Sequence, residues 1–180
     1  MAKAKTGYFT LREEVTLTQA SPDGSRFTGT IDMGAYVDVG DRQCVSIRDV
    51  SYIWQNGAYN ASNPNEMLAA NGSLGIQVTD QNPNGVFIRA NNASLIASGH
   101  MNIDKINNIT SHHSDMFPDN WGNAAEEKNV ISDTLYLVAG NDGADIGTAS
   151  VHCTVSIRCR IATLTQKDYY AIAVAASASD

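Results

Sequence analysis

The sequence predicts an all-β fold: an antiparallel two-sheet sandwich, a jelly roll of about eight strands, formed by residues 1–180 as one domain. Three observations predict it. Apolar residues recur at every second position over most of the chain, the period of a strand with one covered face. The breaks in that alternation carry Pro, Gly, Asn and Asp, which suit tight turns. Strand interiors hold almost no proline, as a paired sheet requires. A chain of 180 residues can bury one sizeable core without a disulfide or metal staple. No linker, change of composition or repeat at solenoid spacing divides it.

The clearest element is Val151–Leu164. Val151, Cys153, Val155, Ile157, Cys159 and Ile161 fall on one face, and His152, Thr154, Ser156, Arg158 and Arg160 on the other. Phe9–Gln19 places Phe9, Leu11, Val15 and Leu17 together. Phe27–Met33 alternates Phe27, Ile31 and Met33 with Thr28, Thr30 and Asp32. Gln43–Trp54 is β-branched and aromatic, with Val45, Ile47 and Ile53 expected opposite Val50, Tyr52 and Trp54. Leu74–Val78, Val86–Ala90, Leu95–Met101 and Val130–Ala139 complete the set.

Between them, Ser21-Pro22-Asp23-Gly24 reads as a tight turn, and Asn82-Pro83-Asn84-Gly85 as a hairpin loop joining two strands. Gly140–Gly147 is a Gly/Asp loop. Asn56–Asn65 and Asn102–Asn129 are longer excursions, the second with a short helical turn around Ala124–Lys128. The C-terminal segment fits two patterns. Thr165 and Asp168 resemble a helix capping box, with Tyr169, Ile172, Ala173 and Ala176 on one face; Tyr170, Ile172, Val174 and Ala176 alternate as a strand, the preferred reading. About eight strands with unequal loops leave a two-sheet jelly roll or a smaller sandwich or barrel, and the long excursions fit a jelly roll better than a meander, whose loops are uniformly short.

The formal charge of −7 argues against a general nucleic-acid binder. The one basic cluster, Lys3, Lys5 and Arg12, is too thin for a genome-condensing arm. No apolar run approaches the ~20 residues of a membrane helix, and no apolar segment follows the lysines of Met1–Gly7 as in a signal peptide. The expectation is a soluble chain made in the cytosol, whose N-x-S/T sequons at Asn60, Asn71, Asn92 and Asn108 stay unmodified. Cys153 and Cys159 lie about 20 Å apart on one strand, beyond disulfide reach, and Cys44 could pair with only one of them; an odd count in a cytosolic product reads as buried thiols.

Reaction chemistry finds little support. No G-x-S-x-G elbow, phosphate-binding glycine loop, H-E-x-x-H or C-x-x-C pattern occurs. Glu13 and Glu14 point to opposite faces of a strand, and Glu126–Glu127 reads as a solvated pair beside Lys128. His112-His113 with Asp115 reads as a surface loop, since adjacent imidazoles diverge. No catalytic residue or resident cofactor is expected. The weak metal candidates are Asp142 and Asp145, whose oxygens sit on a flexible loop suited to calcium but without EF-hand spacing. The aromatics Trp54, Tyr59, Phe117 and Trp121 lie in or beside loops, where they could meet a partner chain or stack on sugars, or else close the ends of the core.

Two stretches carry a family resemblance. Thr28–Gln55 (TGTIDMGAYVDVGDRQCVSIRDVSYIWQ) and Cys153–Asp180 (CTVSIRCRIATLTQKDYYAIAVAASASD) resemble the single-jelly-roll capsid proteins of small icosahedral viruses. The resemblance implies an eight-stranded jelly roll that self-assembles as many copies in a shell, with contacts made by loops and chain ends. It places Lys3, Lys5, Trp54, Tyr59, Phe117, Trp121, Tyr169 and Tyr170 as candidate subunit-interface residues. It implies a virion location, copies of itself and other virion proteins as partners, and calcium between neighbours as the one ion to consider. The weakly basic Met1–Gly7 departs from the Arg-rich arm of many such proteins, so contact with nucleic acid is expected to be weak or indirect, through side chains such as Arg158 and Arg160. The alternative is a carbohydrate-binding or adhesive β-sandwich with an aromatic surface near Trp54 or Trp121.

Overall fold

A computed structural model describes residues 2–57, 60–114 and 127–177. In chain order its elements are β1 (Lys3–Ala4), β2 (Phe9–Leu17), β3 (Arg26–Asp32), β4 (Gln43–Asn56), α1 (Pro64–Met67), β5 (Gly72–Thr79), β6 (Leu95–Asp104), β7 (Ile109–Ser114), β8 (Lys128–Val130), β9 (Thr134–Asp142), β10 (Val151–Thr163) and α2 (Gln166–Ser177).

The strands form two antiparallel sheets. One runs β1-β10-β4-β8, with β2 also paired to β10 beside β1; the other runs β3-β9-β5-β6-β7. The pairings nest: β2 with β10, β3 with β9, β4 with β8, and β5 with β6 at the tip. Nested pairing is what results when one long antiparallel ribbon is rolled so that its arms alternate between two sheets. Rolling then adds the contacts β4–β10 and β5–β9. This is the jelly roll, with β7 added at one edge.

The core lies between the sheets. Val151, Cys153, Val155, Ile157 and Cys159 of β10 are fully buried, as their alternation predicts. They face Leu74, Ile76 and Val78 of β5 and Leu135, Leu137 and Ala139 of β9 within one apolar cluster. One end is closed by α1 and the residues after it. Met67 and Leu68 are buried there, and Gly147 N–H and Asp145 C=O bond to Met67 C=O and Ala69 N–H at 2.9 Å each.

Strand β4 departs from the expected parity. Val45, Ile47, Val50, Tyr52 and Trp54 all point into the core, whereas Ile53 is 50% exposed. The cause is a β-bulge: Asp49 pairs with Arg158 and Ile47 with Cys159, leaving Arg48 without a partner position. One extra residue reverses the facing of everything beyond it. Trp54 is therefore a core side chain, 4% exposed, and not the loop-side aromatic expected of an interface or a sugar platform.

Three other segments differ from expectation. Val86–Ala90 is not a strand; its backbone is held by a side chain, with Ile88 N–H donating to Gln77 Oε1 at 2.8 Å and Gln77 Nε2 donating to Ile88 C=O at 2.9 Å. Phe87 lies over Gly75, where a Cβ would meet its ring at 3.1 Å. The Asn82–Gly85 turn forms, with Asn84 and Gly85 at positive φ, but inside the long β5–β6 connection and not as a hairpin loop. Ile109–Ser114, read as excursion, is strand β7. Of the helical turn expected around Ala124–Lys128, residues 124–126 lie outside the described residues and Lys128 begins β8.

The C-terminal segment is a helix. Thr165 Oγ1 accepts from Asp168 N–H at 3.2 Å and Thr165 C=O from Tyr169 N–H at 2.9 Å. Tyr169 and Ile172 then cover Cys44, Ala162 and Leu164, a small second core on the outer face of the β10–β4 sheet. A strand would have grouped Tyr170, Ile172 and Val174; the helix leaves Tyr170 and Val174 at 60% and 66% exposure.

Candidate functional site

The expected interface residues fall in different surroundings. Lys3 is exposed on β1, which pairs with the end of β10, and Lys5 Nζ donates to Gln43 Oε1 at 2.9 Å. Tyr169 and Tyr170 line a groove with Val39, Gly40, Arg42 and Gln166. Val39 is 69% exposed, so with Tyr170 and Val174 it makes an apolar patch around α2. A second patch sits at the β6–β7 tip, where Ile106 is 80% and Ile109 61% exposed. Tyr59, Phe117 and Trp121 lie outside the described residues.

The Asp142 and Asp145 carboxylates point to different partners. Both oxygens of Asp142 accept from Arg26 Nη2, at 2.9 and 3.1 Å, and that guanidinium stacks on Phe87. Asp145 Oδ1 accepts from Asp23 N–H at 2.8 Å, and Asp23 Oδ1 from Gly143 N–H at 2.7 Å. These bonds tie the β9–β10 loop to the Ser21–Gly24 turn. Among the described residues no three His, Cys, Asp or Glu side chains converge as a metal-binding group.

The three cysteines are free and buried. Loss of hydration on burial pushes the Cys44 thiol up to about 11 and Cys159 to about 12, and raises Cys153 further. A thiol reagent at about pH 8 should therefore leave the native chain unlabelled and modify all three after denaturation; rapid native labelling would contradict this packing.

One charged cluster was found only in part by the sequence reading, which had Arg158 and Arg160 but not Tyr8, Arg48 or Glu127. It lies on the outer face of the β10–β4 sheet, where the alternation of β10 turns Arg158 and Arg160 outward and the bulge adds Arg48. The guanidinium carbons of all three lie 5.2 Å from the centre of the Tyr8 ring. Arg48 Nη1 donates to Tyr8 Oη at 3.2 Å, and Tyr8 O–H donates to Glu127 Oε1. Glu127 Oε2 accepts from Arg160 Nε at 3.0 Å and Nη2 at 2.9 Å. The bond and the charge interaction with Tyr8 hold Arg48 more firmly protonated than usual. The Glu127 side chain is 2% exposed and that of Arg160 17%, so the expectation of a solvated Glu127 is corrected. The available signal was the pair of outward arginines on β10, which need a counter-charge nearby.

No protein-family model matches the chain, and no curated protein matches it. Solved structures do. The chain is similar to VP1 of the Trichodysplasia spinulosa-associated polyomavirus, with a TM-score of 0.48 and 8% identity over 91% of this chain and 99% of that one. It is similar to a structure of Desmodium yellow mottle tymovirus, with a TM-score of 0.33 and 7% identity over 88% and 90% of the two chains. A structure of turnip yellow mosaic virus gives 0.31 and 9% identity over 91% and 86%.

Proposed function

We propose that this chain is a viral capsid subunit that self-assembles into an icosahedral shell. The observation that carries the reading is the pair of separate exposed apolar patches on the jelly roll, one at Val39, Tyr170 and Val174, the other at Ile106 and Ile109. A two-fold dimer needs one self-complementary patch. Two different patches suit heterologous contacts, in which each copy offers one surface to the next and a closing rotation makes rings and shells. Apolar side chains this exposed gain most when a neighbour covers them. The sequence resemblance over Thr28–Gln55 and Cys153–Asp180 supports the same reading.

In this reading the chain is synthesised in a host cytoplasm and resides in the virion. Its partners are copies of itself and other virion proteins. Lys3, Lys5, Tyr169 and Tyr170 lie at or beside subunit contacts.

Negative-stain microscopy of the purified protein tests the proposal. Closed particles are expected, and Ile106→Asp or Val174→Asp should abolish them while circular dichroism stays that of the native β fold. Particles that survive both substitutions would remove the patches from the argument.

A further inference from the structure

We infer that Arg48 and Arg158, held over Tyr8, form a binding site for a phosphate group carried by a nucleotide or a nucleic-acid strand. The inference does not depend on shell assembly. It rests on an imbalance of charge and on guanidinium groups with donors to spare.

Around Tyr8 stand three guanidiniums and one carboxylate in direct contact, Glu127. Glu127 spends its charge on Arg160, to which it bonds twice. Arg48 uses one donor on Tyr8 Oη. Among the described residues the Arg158 side chain has no hydrogen-bond or ion-pair partner, and its guanidinium lies over the ring. Asp49 stands opposite Arg158 in the β4–β10 register but makes no ion pair with it among the described residues. Each guanidinium carries five N–H donors, so most of those on Arg48 and all of those on Arg158 remain for a ligand.

The geometry favours phosphate over carboxylate. A planar carboxylate matches one guanidinium fork. A tetrahedral phosphate presents oxygens in several directions and can accept from two forks on one ring at once. The arginines are also arranged in advance. Stacking on Tyr8 and the bond from Arg48 to Tyr8 restrict side chains that would otherwise lose freedom on binding. Glu127, bonded to both the Tyr8 hydroxyl and Arg160, fixes the position of the ring. Beyond the cluster the outward residues are Ser156, Thr154 and His152 on β10 and Thr10, Arg12, Glu14 and Thr16 on β2, so a strand of nucleic acid continuing along the face would meet Arg12 first and then Glu14, which is paired with His152.

The site explains how a chain of formal charge −7 could still contact a polyanion. Affinity would come from one local patch of arginine and not from overall charge. Phosphate binding of this kind is salt-dependent, with a slope that counts the ionic contacts.

The test measures binding to the protein as purified, by calorimetry with inorganic phosphate and a nucleoside monophosphate, and by fluorescence polarisation with a labelled single-stranded oligonucleotide. Arg48→Gln and Arg158→Gln are compared with Arg89→Gln, which removes the same charge from an exposed position in the β5–β6 connection, away from the cluster. Each of the first two should weaken binding about tenfold and reduce the salt slope by about one, while Arg89→Gln should stay within about twofold of the parent. Binding of phosphate and mononucleotide as well as the strand would mark a site for free phosphate groups; binding of the strand alone would mark a backbone contact; both support the inference. Failure of all three probes to bind the parent protein, or equal losses in Arg158→Gln and Arg89→Gln, would overturn it.

Discussion

Glu127→Ala should cost about 3–5 kcal/mol of folding stability, because it leaves the Arg160 guanidinium largely buried with no anion. The Glu127 side chain is 2% exposed and Arg160 17%, so water can replace little of what the carboxylate provides. The same change takes the acceptor from the Tyr8 hydroxyl. Urea titration followed by circular dichroism checks the value. Replacing both partners, Glu127→Ala with Arg160→Met, should recover most of the loss, since neither charge then remains to be compensated. A loss under about 1 kcal/mol for Glu127→Ala would show an ion pair as exposed as an ordinary surface pair.

Two neighbours on β4 should respond in opposite ways. Trp54→Ala should cost about 3–5 kcal/mol, the price of emptying a large site in a packed core. Ile53→Ala should change stability by about 0.5 kcal/mol or less, since that side chain is half exposed. The contrast reads the bulge at Arg48 directly. Had β4 kept strict alternation from Val45, Ile53 would be the costly position and Trp54 the tolerant one. Thermal melts of the two variants, run side by side, separate the arrangements.

What could be read from the chain follows from where the determining contacts lie. Most of the inward set of β10 was legible because alternation is local: Val151, Cys153, Val155, Ile157 and Cys159 are all buried, whereas Ile161, grouped with them by spacing, lies past the register shift and is half-buried. The β4 bulge was not, because an extra residue is defined by its partner strand, here by Arg158 and Cys159. Val86–Ala90 alternates like a strand, yet the Gln77 amide takes both backbone groups of Ile88. The C-terminal segment offered helical and extended patterns of similar strength. The patch of Cys44, Ala162 and Leu164 decides it, and that patch exists only once β4 and β10 are side by side. Strand β7 has the sequence ITSHHS, with little alternation to detect.

The candidate site divides in the same way. Arg158 and Arg160 could be placed on one polar face from their spacing alone. Tyr8 precedes the first recognisable strand, and Glu127 follows a long excursion, so nothing local brings either to them. The bulge contributes Arg48 as a consequence of pairing. Lys3, Lys5, Tyr169 and Tyr170 were found as chain-end residues, and the structure places them beside β10 and α2.

Sedimentation velocity tests the central claim most directly. A shell subunit of 19.3 kDa should sediment as a discrete species many times that mass, and dissociate when Ile106 or Val174 is made acidic. A single boundary at the monomer mass, unchanged from dilute to concentrated protein and across salt and calcium, would contradict it.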